Sequence, residues 1–405
     1  MSRFRILFVD DEPNVLQGLQ RMLRHMRLEW EMRFVDGGEA ALAVMAEQHF
    51  DAIVSDMRMP SMDGVALLTE VAKRYPGVVR VVLSGYSDDE TVMKTIGLVH
   101  QFLAKPCSAQ VLVDVIRRAF ELKRVLSSGH LRALLSGLSN LPSPPDTYIA
   151  LLDYMGRADA SANGVAEIIS RDVAMTAELL KLTNSSYFGL SSRLTQPLQA
   201  VRVLGFETVG ALILRIGIFR SFRGLPAMGR MMEEMNRDSF LVARIARRIA
   251  KLENFDLKGQ EEAYCAGMLS SIGLLVLLDQ KPGEIARVKA AMAAGLGALA
   301  AEDDVFGATH FQIGAYLLGL WGFNHSVVEA VVLLGRPSVA PGETLDVPGI
   351  VHVARYLAGP SPVYAVPGQD ADPGGFPLDD GYLDHLGVRG HLDRWTREAA
   401  AEMRG

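Results

Sequence analysis

A chain of 405 residues has room for two or three domains, and a composition of 49% apolar and 22% charged residues is ordinary for a globular protein. A net charge of −6 and a pI near 5.9 argue against a large nucleic-acid footprint, leaving only a local basic patch at Arg244, Arg247 and Arg248. The two cysteines, Cys107 and Cys265, lie far apart in no metal-type spacing, which fits a reducing cytoplasm and excludes a disulfide framework.

The opening "MSRFRILFVDDE" runs directly into a strand pattern and does not have the form of a signal peptide. "RILFV", "AIVS", "VRVVLS" and "HQFLA" are clear short strands, and "EMRFV" is a weaker one. Helical patterns at Val15 to Met26 and Glu39 to Glu47 lie between them. Strands alternating with helices predict an α/β domain with a five-stranded parallel sheet, doubly wound and covered on both faces. Val111, Val115, Ala119, Leu122 and Leu126 form an apolar stripe on the helix closing this domain, continued by Leu131, Leu134 and Leu138. "LPSPPD" (141–146) then punctuates a boundary with three prolines.

Beyond Leu141 the pattern is all-α. "RDVAMTAELLKLTN" places Val173, Ala177, Leu180 and Asn184 at helical spacing on one face. Val305 to Val328 carries no Asp, Glu, Lys or Arg, but its Thr309, His310, Gln312, Asn324 and His325 point to buried helices with a turn near Gly322. No membrane span is expected. The Pro/Gly-rich run from 359 to 381 reads as a surface loop before a last helical segment, and no internal repeat is present.

In an open parallel sheet, ligands gather beyond the carboxyl ends of the strands. Asp10 and Asp11 follow the first strand, Asp56 the third, Ser84 the fourth and Lys105 the fifth. Three close carboxylates repel one another unless a cation joins them, and Mg²⁺ is the natural hard guest for oxygen ligands. A carboxylate beside Mg²⁺ and a lysine is suited to accept a phosphoryl group, whose oxygens the cations neutralise. "ILFVDDE", "VSDMRMPSMDG", "VVLSGYS" and "FLAKP" together resemble a two-component receiver domain over residues 3 to 125, which has a flavodoxin-like fold. The resemblance implies that Asp56 is the phosphoacceptor and that Asp11 and Asp56, with the carbonyl of Arg58, hold Mg²⁺ with support from Asp10. It also implies that Ser84 and Lys105 hold the phosphoryl oxygens, that Phe102 is the switch aromatic, and that Lys105-Pro106 is cis.

The second half raises a different question. "AGMLSSIGLL" (266–275) places Ser270 and Ser271 in the middle of a strongly apolar run, where a hydroxyl needs a partner. Residues 135 to 357 resemble an HDOD domain, a helical relative of HD-type metal phosphohydrolases, most clearly over 168–214 and over "FGATHFQIGAYLLGLWGF" (306–323). That resemblance places Ser270 and Ser271 where the hydrolases carry their His-Asp pair. It places Asp238 at the first histidine, Arg355 at the later aspartate, and Leu334 and Gly335 where relatives often carry a histidine pair. It therefore implies no metal in this domain and no catalysis, with the serines the relic of a lost centre. A plainer reading is two helix hydroxyls bonded back to carbonyls one turn earlier.

His310 falls at a family position, although a single helix histidine is more often a satisfied core or surface residue. His352, His385 and His391 form no defensible cluster. The methionines of "MGRMMEEM" (228–235) suit either an adaptable contact surface or a core. The expected organisation is a receiver at 1–125, a joint at 126–141, an HDOD domain at 142–357 and an extension at 358–405. The expected protein is a cytoplasmic response regulator whose phosphorylation controls a binding output, to protein or nucleotide. The expected partners are a sensor histidine kinase or phosphotransfer protein, a downstream protein, and optionally a second copy of the chain, but not DNA. The alternative is a receiver-regulated phosphodiesterase or nucleotide hydrolase with a non-standard site.

Overall fold

A computed structural model describes residues 3–84, 99–125, 135, 141–143, 145–157, 159–184, 190, 193–205, 209, 220–221, 226–339, 342–364 and 376–404. Two compact units are present: the first comprises Met1–Asn140 with the short stretches Lys181–Ser192 and Leu320–Gly322, and the second the rest of the chain from Leu141. The expected joint (126–140, apart from Leu135) and the Asn-Ser and aromatic-Gly turns at 184–189 beyond Asn184 lie outside the described residues.

The first unit holds a parallel sheet of five strands in the order β2-β1-β3-β4-β5, with β1 Phe4–Val9, β2 Trp30–Val35, β3 Ala52–Asp56, β4 Val79–Ser84 and β5 Gln101–Ala104. Helices α1 Pro13–Met22, α2 Gly38–Glu47, α3 Gly64–Arg74 and α4 Ala109–Val125 are threaded between and after the strands. Ile6 to Val9 are almost wholly buried, as an interior parallel strand requires. β2 pairs only with β1 at the sheet edge and leaves Glu31 and Arg33 in solvent, which explains its weak apolar pattern. On α4 the buried side chains are Leu112, Val113 and Ile116, whereas Val111, the first residue of the apolar stripe, is 42% exposed. The stripe therefore starts on a different face from the one that packs into the core.

Order 2-1-3-4-5 places the switch point between β1 and β3, so the loops after these strands open side by side. The start of α3 is fitted closely against the end of β3. Asp63 caps the helix by accepting from the Ala66 N–H at 2.8 Å, and Gly64 N–H donates to the Met57 carbonyl at 3.0 Å. A Cβ on Gly64 would stand 2.3 Å from the Asp56 carbonyl oxygen and 2.9 Å from Met57 Cα. The "DG" of "PSMDG" is thus one capping residue and one residue without a side chain, and both serve the strand end.

The second unit is helical: α5 Pro145–Met155, α6 Ala162–Ser170, α7 Val173–Thr183, α8 Pro197–Leu204, α9 Pro226–Leu252, α10 Leu257–Leu269, α11 Ile272–Gln280 and α12 Pro282–Ala293. There follow α13 Ala298–Phe306, α14 His310–Leu320, α15 His325–Val332, α16 Val347–Leu357, α17 Asp380–His385 and α18 Leu392–Arg404. Two parallel two-residue strands, β6 Pro142–Ser143 and β7 Arg220–Ser221, add a contact that the all-α reading did not contain. α7 is buried all round instead of on one face. Its Glu178, 1% exposed, accepts from the Leu141 N–H at 2.9 Å. The left-handed turn at Gly322 separates α14 from α15 as expected. The continuous stretch Leu257–Gln280 is long and apolar enough to cross a membrane, but 89% of it is buried inside the fold, as in a core helix.

α9 is the long central element. α10 packs on it so closely that a Cβ on Gly267 would lie 2.8 Å from Ala243 Cα. The C-terminal helix α18 is strapped to α9 by Arg244–Glu402 and Arg248–Glu398 ion pairs, so two of the three arginines of the basic patch are engaged within the chain. Trp395 is fully buried and donates its indole N–H to Glu253 at 2.8 Å. The Pro/Gly-rich run does not lie wholly on the surface, because Val363 and Tyr364 at its start are buried. Within "MGRMMEEM", Met232 and Met235 are core and Met228 and Met231 are half-buried.

Replacing Gly64 by Ala drives a methyl group into backbone, not into a yielding side chain, and should destabilise the first unit by about 1–3 kcal/mol. Urea unfolding compared with a Gly77→Ala control, where a Cβ meets nothing within 4 Å, checks this.

Candidate functional site

At the carboxyl end of the sheet, Asp10 (1% exposed) and Asp56 (8%) are held together by the Lys105 ammonium. Nζ donates to Asp10 Oδ2 at 2.8 Å and makes a very short contact with Asp56 Oδ1. The Glu12 N–H donates to Asp10 Oδ1 at 3.0 Å, and the Arg58 N–H to Asp56 Oδ2 at 2.8 Å, which fixes both carboxylates. Burial by itself would lower the Lys105 pKa, but the hydrogen bonds and charges of Asp10 and Asp56 outweigh it and hold the ammonium above its ordinary value. Asp11 is half-buried beside this group. Ser84 ends β4 in register with Ala104, the neighbour of Lys105, and Phe102 pairs with Val82; their side chains lie outside the described residues. The Lys105-Pro106 peptide is cis. Five polar positions on separate loops and strands, read from sequence as one rim, thus share the carboxyl end of one sheet.

In the second unit, Ser270 and Ser271 break a helix. α10 ends at Leu269 and α11 begins at Ile272, with both serines buried between them. Ser270 Oγ donates to the Gly267 carbonyl at 2.8 Å, so the plainer reading holds for that hydroxyl. Ser271 caps α11 without a side-chain hydrogen bond. Beside it, a Cβ on Gly273 would stand 2.0 Å from the His310 carbonyl oxygen, which marks how tightly α11 and α14 are joined.

Asp238 and Arg355, far apart in sequence, form a buried two-pronged ion pair. Arg355 Nη2 donates to Asp238 Oδ1 at 2.9 Å, Nη1 makes a shorter contact with Oδ2, and Nη2 also donates to the Gly359 carbonyl at 2.6 Å. The side chains are 5% and 9% exposed. Two residues that sequence reasoning missed are Asn236, two before Asp238, and the aspartate it bonds to. Asp172, fully buried, accepts from the Asn236 amide at 3.2 Å and from the Met175 N–H at 2.8 Å. A buried aspartate just before an apolar helix is an N-cap pattern that could have flagged it.

His310 is paired with Glu302, a wholly buried carboxylate. Nδ1 lies 2.7 and 2.8 Å from its two oxygens, the His310 backbone N–H donates at 2.8 Å, and Tyr364 adds its hydroxyl. His352 is a satisfied core histidine. Its Nε2 accepts from the Asp379 N–H at 2.9 Å, so Nδ1 carries the proton and donates to the Leu334 carbonyl at 2.8 Å. His385 is exposed, and His391 sits on Glu253 at 3.2 Å. Ser271, His310, Gly335 and Arg355 line one cavity of about 390 Å³, closed by Tyr364 and Phe376. Among the described residues, no group of three or more His, Cys, Asp or Glu side chains could hold a metal.

Residues 6–117 match the response regulator receiver domain family, and residues 141–335 match the HDOD domain family. The chain joins a receiver domain to an HDOD domain. The receiver portion is similar to the hydrogenase transcriptional regulatory protein HoxA of Cupriavidus necator, 33% identical over 127 residues, which covers 31% of this chain and 26% of that protein. It is also similar to the C4-dicarboxylate transport transcriptional regulatory protein DctD of Pseudomonas aeruginosa, 28% identical over 33% of this chain and 29% of that one. The chain thus spans under a third of the length of these curated relatives. Among solved structures, the receiver domain of an HD domain-containing protein from Pseudomonas fluorescens is 32% identical, covering 30% of this chain and 96% of its own, with a TM-score of 0.28. The MmoQ response regulator from Methylococcus capsulatus is 19% identical, covering 64% of this chain and 98% of its own, with a TM-score of 0.46.

Removing one partner of a buried ion pair strands the other charge, so Asp238→Leu or Arg355→Met alone should cost about 3–5 kcal/mol, while the double variant should recover much of that loss. Chemical denaturation of the three variants measures the coupling.

Burial lowers the His352 pKa below its usual value, against the upward pull of the Leu334 carbonyl and the Asp379 charge. The fold therefore favours the neutral ring. That contribution is fully present above the unfolded pKa of about 6.5 and is lost as pH falls through the depressed folded value. Exchange of the Asp379 amide hydrogen should accelerate, relative to the pH trend of other amides, as pH falls below the ordinary histidine range, and a His352→Gln variant should lose that acceleration.

Proposed function

We propose that this protein is a two-component response regulator in which phosphorylation of Asp56 controls a non-catalytic HDOD module that acts by binding a partner, with the receiver at 1–125 and the HDOD domain at 142–357. The observation that carries the first part is the Lys105 ammonium bonded to both Asp10 and Asp56. Two buried carboxylates with one ammonium leave unbalanced negative charge, and their oxygens are of the type that suits a hard divalent cation, although the described residues do not bring three carboxylates together as a ready-made site. Asp10, Asp11 and Asp56, with the Arg58 carbonyl, would hold Mg²⁺, which supplies neutralisation of the phosphoryl oxygens when bound.

The chain's own residues do the rest. The Arg58 N–H orients the Asp56 carboxylate, whose oxygen attacks phosphorus as the donor's leaving group departs. Lys105, already in contact with that carboxylate, stays as counter-charge to the phosphoryl oxygens, and the Ser84 hydroxyl donates to another. Phe102 then follows Ser84 inward and changes the face beside α4. The donor is a sensor histidine kinase or phosphotransfer protein.

The Asp238–Arg355 ion pair supports the non-catalytic reading of the second unit. At two positions that the HD resemblance assigns to metal ligands, a guanidinium neutralises the aspartate that remains. The two other positions are serines, hard to deprotonate and poor ligands for a transition metal. The output is then recognition of a downstream protein, or of a nucleotide without cleavage. The curated relatives named above are transcriptional regulators, but an acidic chain whose basic patch is engaged in ion pairs gives DNA binding little support.

Hydrogen exchange on the full chain, with and without Mg²⁺ and beryllofluoride, tests the coupling. Protection changes should extend into residues 141–335 and vanish in Asp56→Asn. Changes confined to the receiver, changes that survive in Asp56→Asn, or turnover of a phosphodiester by the full chain would overturn the reading.

A further inference from the structure

The cavity beside the serines is built like a ligand site. A volume of about 390 Å³ lies within the range of roughly 300–1,000 Å³ typical of small-molecule pockets. Its apolar walls include Leu299, Phe311 and Phe376, the two rings meeting edge to face with centroids 5.9 Å apart. Set among them are polar groups that the fold leaves unserved.

Three such buried groups, and one exposed cation, belong to residues lining this one space. Ser271 is 6% exposed and its hydroxyl caps no N–H. His310 is 7% exposed and commits Nδ1 to Glu302, while Nε2 makes no hydrogen bond among the described residues. Arg355 is 4% exposed and spends both terminal nitrogens on Asp238 and Gly359, which leaves a buried Nε with no acceptor. Arg336, exposed at the rim, makes no ion pair among the described residues. Buried polar groups are nearly always hydrogen-bonded, so several unserved groups around one cavity call for a guest.

The charge balance says what kind. Of the charged side chains lining the cavity, Arg355 is neutralised by Asp238 and Arg336 is not neutralised. Glu302 stands behind His310 and is covered by three donors. The charged side chains that face the cavity itself, Arg336 and Arg355, are both cationic. We infer that the HDOD cavity binds a small organic anion, a flat ring carrying one carboxylate or phosphate, with the ring against Phe311 and Phe376 and the acidic group served by Arg336, His310 Nε2 and the Ser271 hydroxyl. The inference deepens the binding role proposed for this module but does not depend on phosphorylation.

Isothermal titration of the unphosphorylated full chain with phenyl phosphate and with adenosine 5′-monophosphate tests it, repeated on Asp56→Asn so that failure of phospho-control and failure of the cavity are read separately. At least one probe should bind saturably at millimolar concentration or below. Tighter binding of the nucleotide assigns the guest to that class, and equal or tighter binding of phenyl phosphate assigns it to smaller aromatic acids. Arg336→Ala should weaken binding at least fivefold. So should His310→Asn, which keeps a donor for Glu302 but removes Nε2. Ala298→Trp, which fills the cavity from a half-exposed position at the start of α13, should abolish binding while circular dichroism and melting stay unchanged. Absence of saturable binding by both probes, or binding indifferent to Ala298→Trp and Arg336→Ala, overturns the inference and leaves the space to water.

Discussion

A carboxylate withdrawn from water needs a cation or several donors, and both halves of this protein are arranged around that requirement. In the receiver, Asp10 and Asp56 share one ammonium. In the HDOD domain, Asp238 takes a guanidinium, Glu302 takes an imidazole, a backbone N–H and a phenol, and Asp172 takes an amide and a helix N-terminus. The difference between the halves lies in what the pairing leaves over. At the carboxyl end of the sheet the charge of Asp10 and Asp56 exceeds that of the single lysine. Around the helical cavity the charged side chains that face the space are Arg336 and Arg355, and the anion site inferred above rests on them.

Close approach is the second organising device. Gly64 lets α3 begin against the Asp56 carbonyl, Gly267 lets α10 lie on α9, and Gly273 lets α11 meet the His310 carbonyl. Each is a place where backbone fits against backbone with no side chain to yield. The end of β3 at Asp56 and the helix junction beside the cavity are both fixed in this way.

The sheet was legible because interior parallel strands must be apolar on both faces, while the weak "EMRFV" strand is weak because it sits at the edge with Glu31 and Arg33 in water. The rim residues were legible because strand ends converge in any parallel sheet. Interior charge was not. Arg80 in β4 is 1% exposed, hydrogen-bonded with His100 and the Val78 carbonyl, although its strand position alone gives no reason to bury it. The Asp238–Arg355 pair spans 117 residues, and its two members were singled out only as positions of a resemblance, with no sequence signal that they touch. Neither the cavity nor the Glu302–His310 pair could be read from periodicity, because Glu302 lies in an ordinary amphipathic stretch and is buried only by tertiary packing.

The path of the chain after α15 bears on where this module can be divided. The match to the HDOD family ends at residue 335, yet the counter-charge of Asp238 is at 355, the phenol on Glu302 is at 364 and the indole on Glu253 is at 395. A fragment cut at the family boundary would leave Asp238 without its counter-charge and Glu302 without one of its three donors, strip a wall from the cavity and uncover a side of α9. The last seventy residues are therefore not an appendage but the closing layer of the domain. Any transplantation of this output onto another receiver has to carry them.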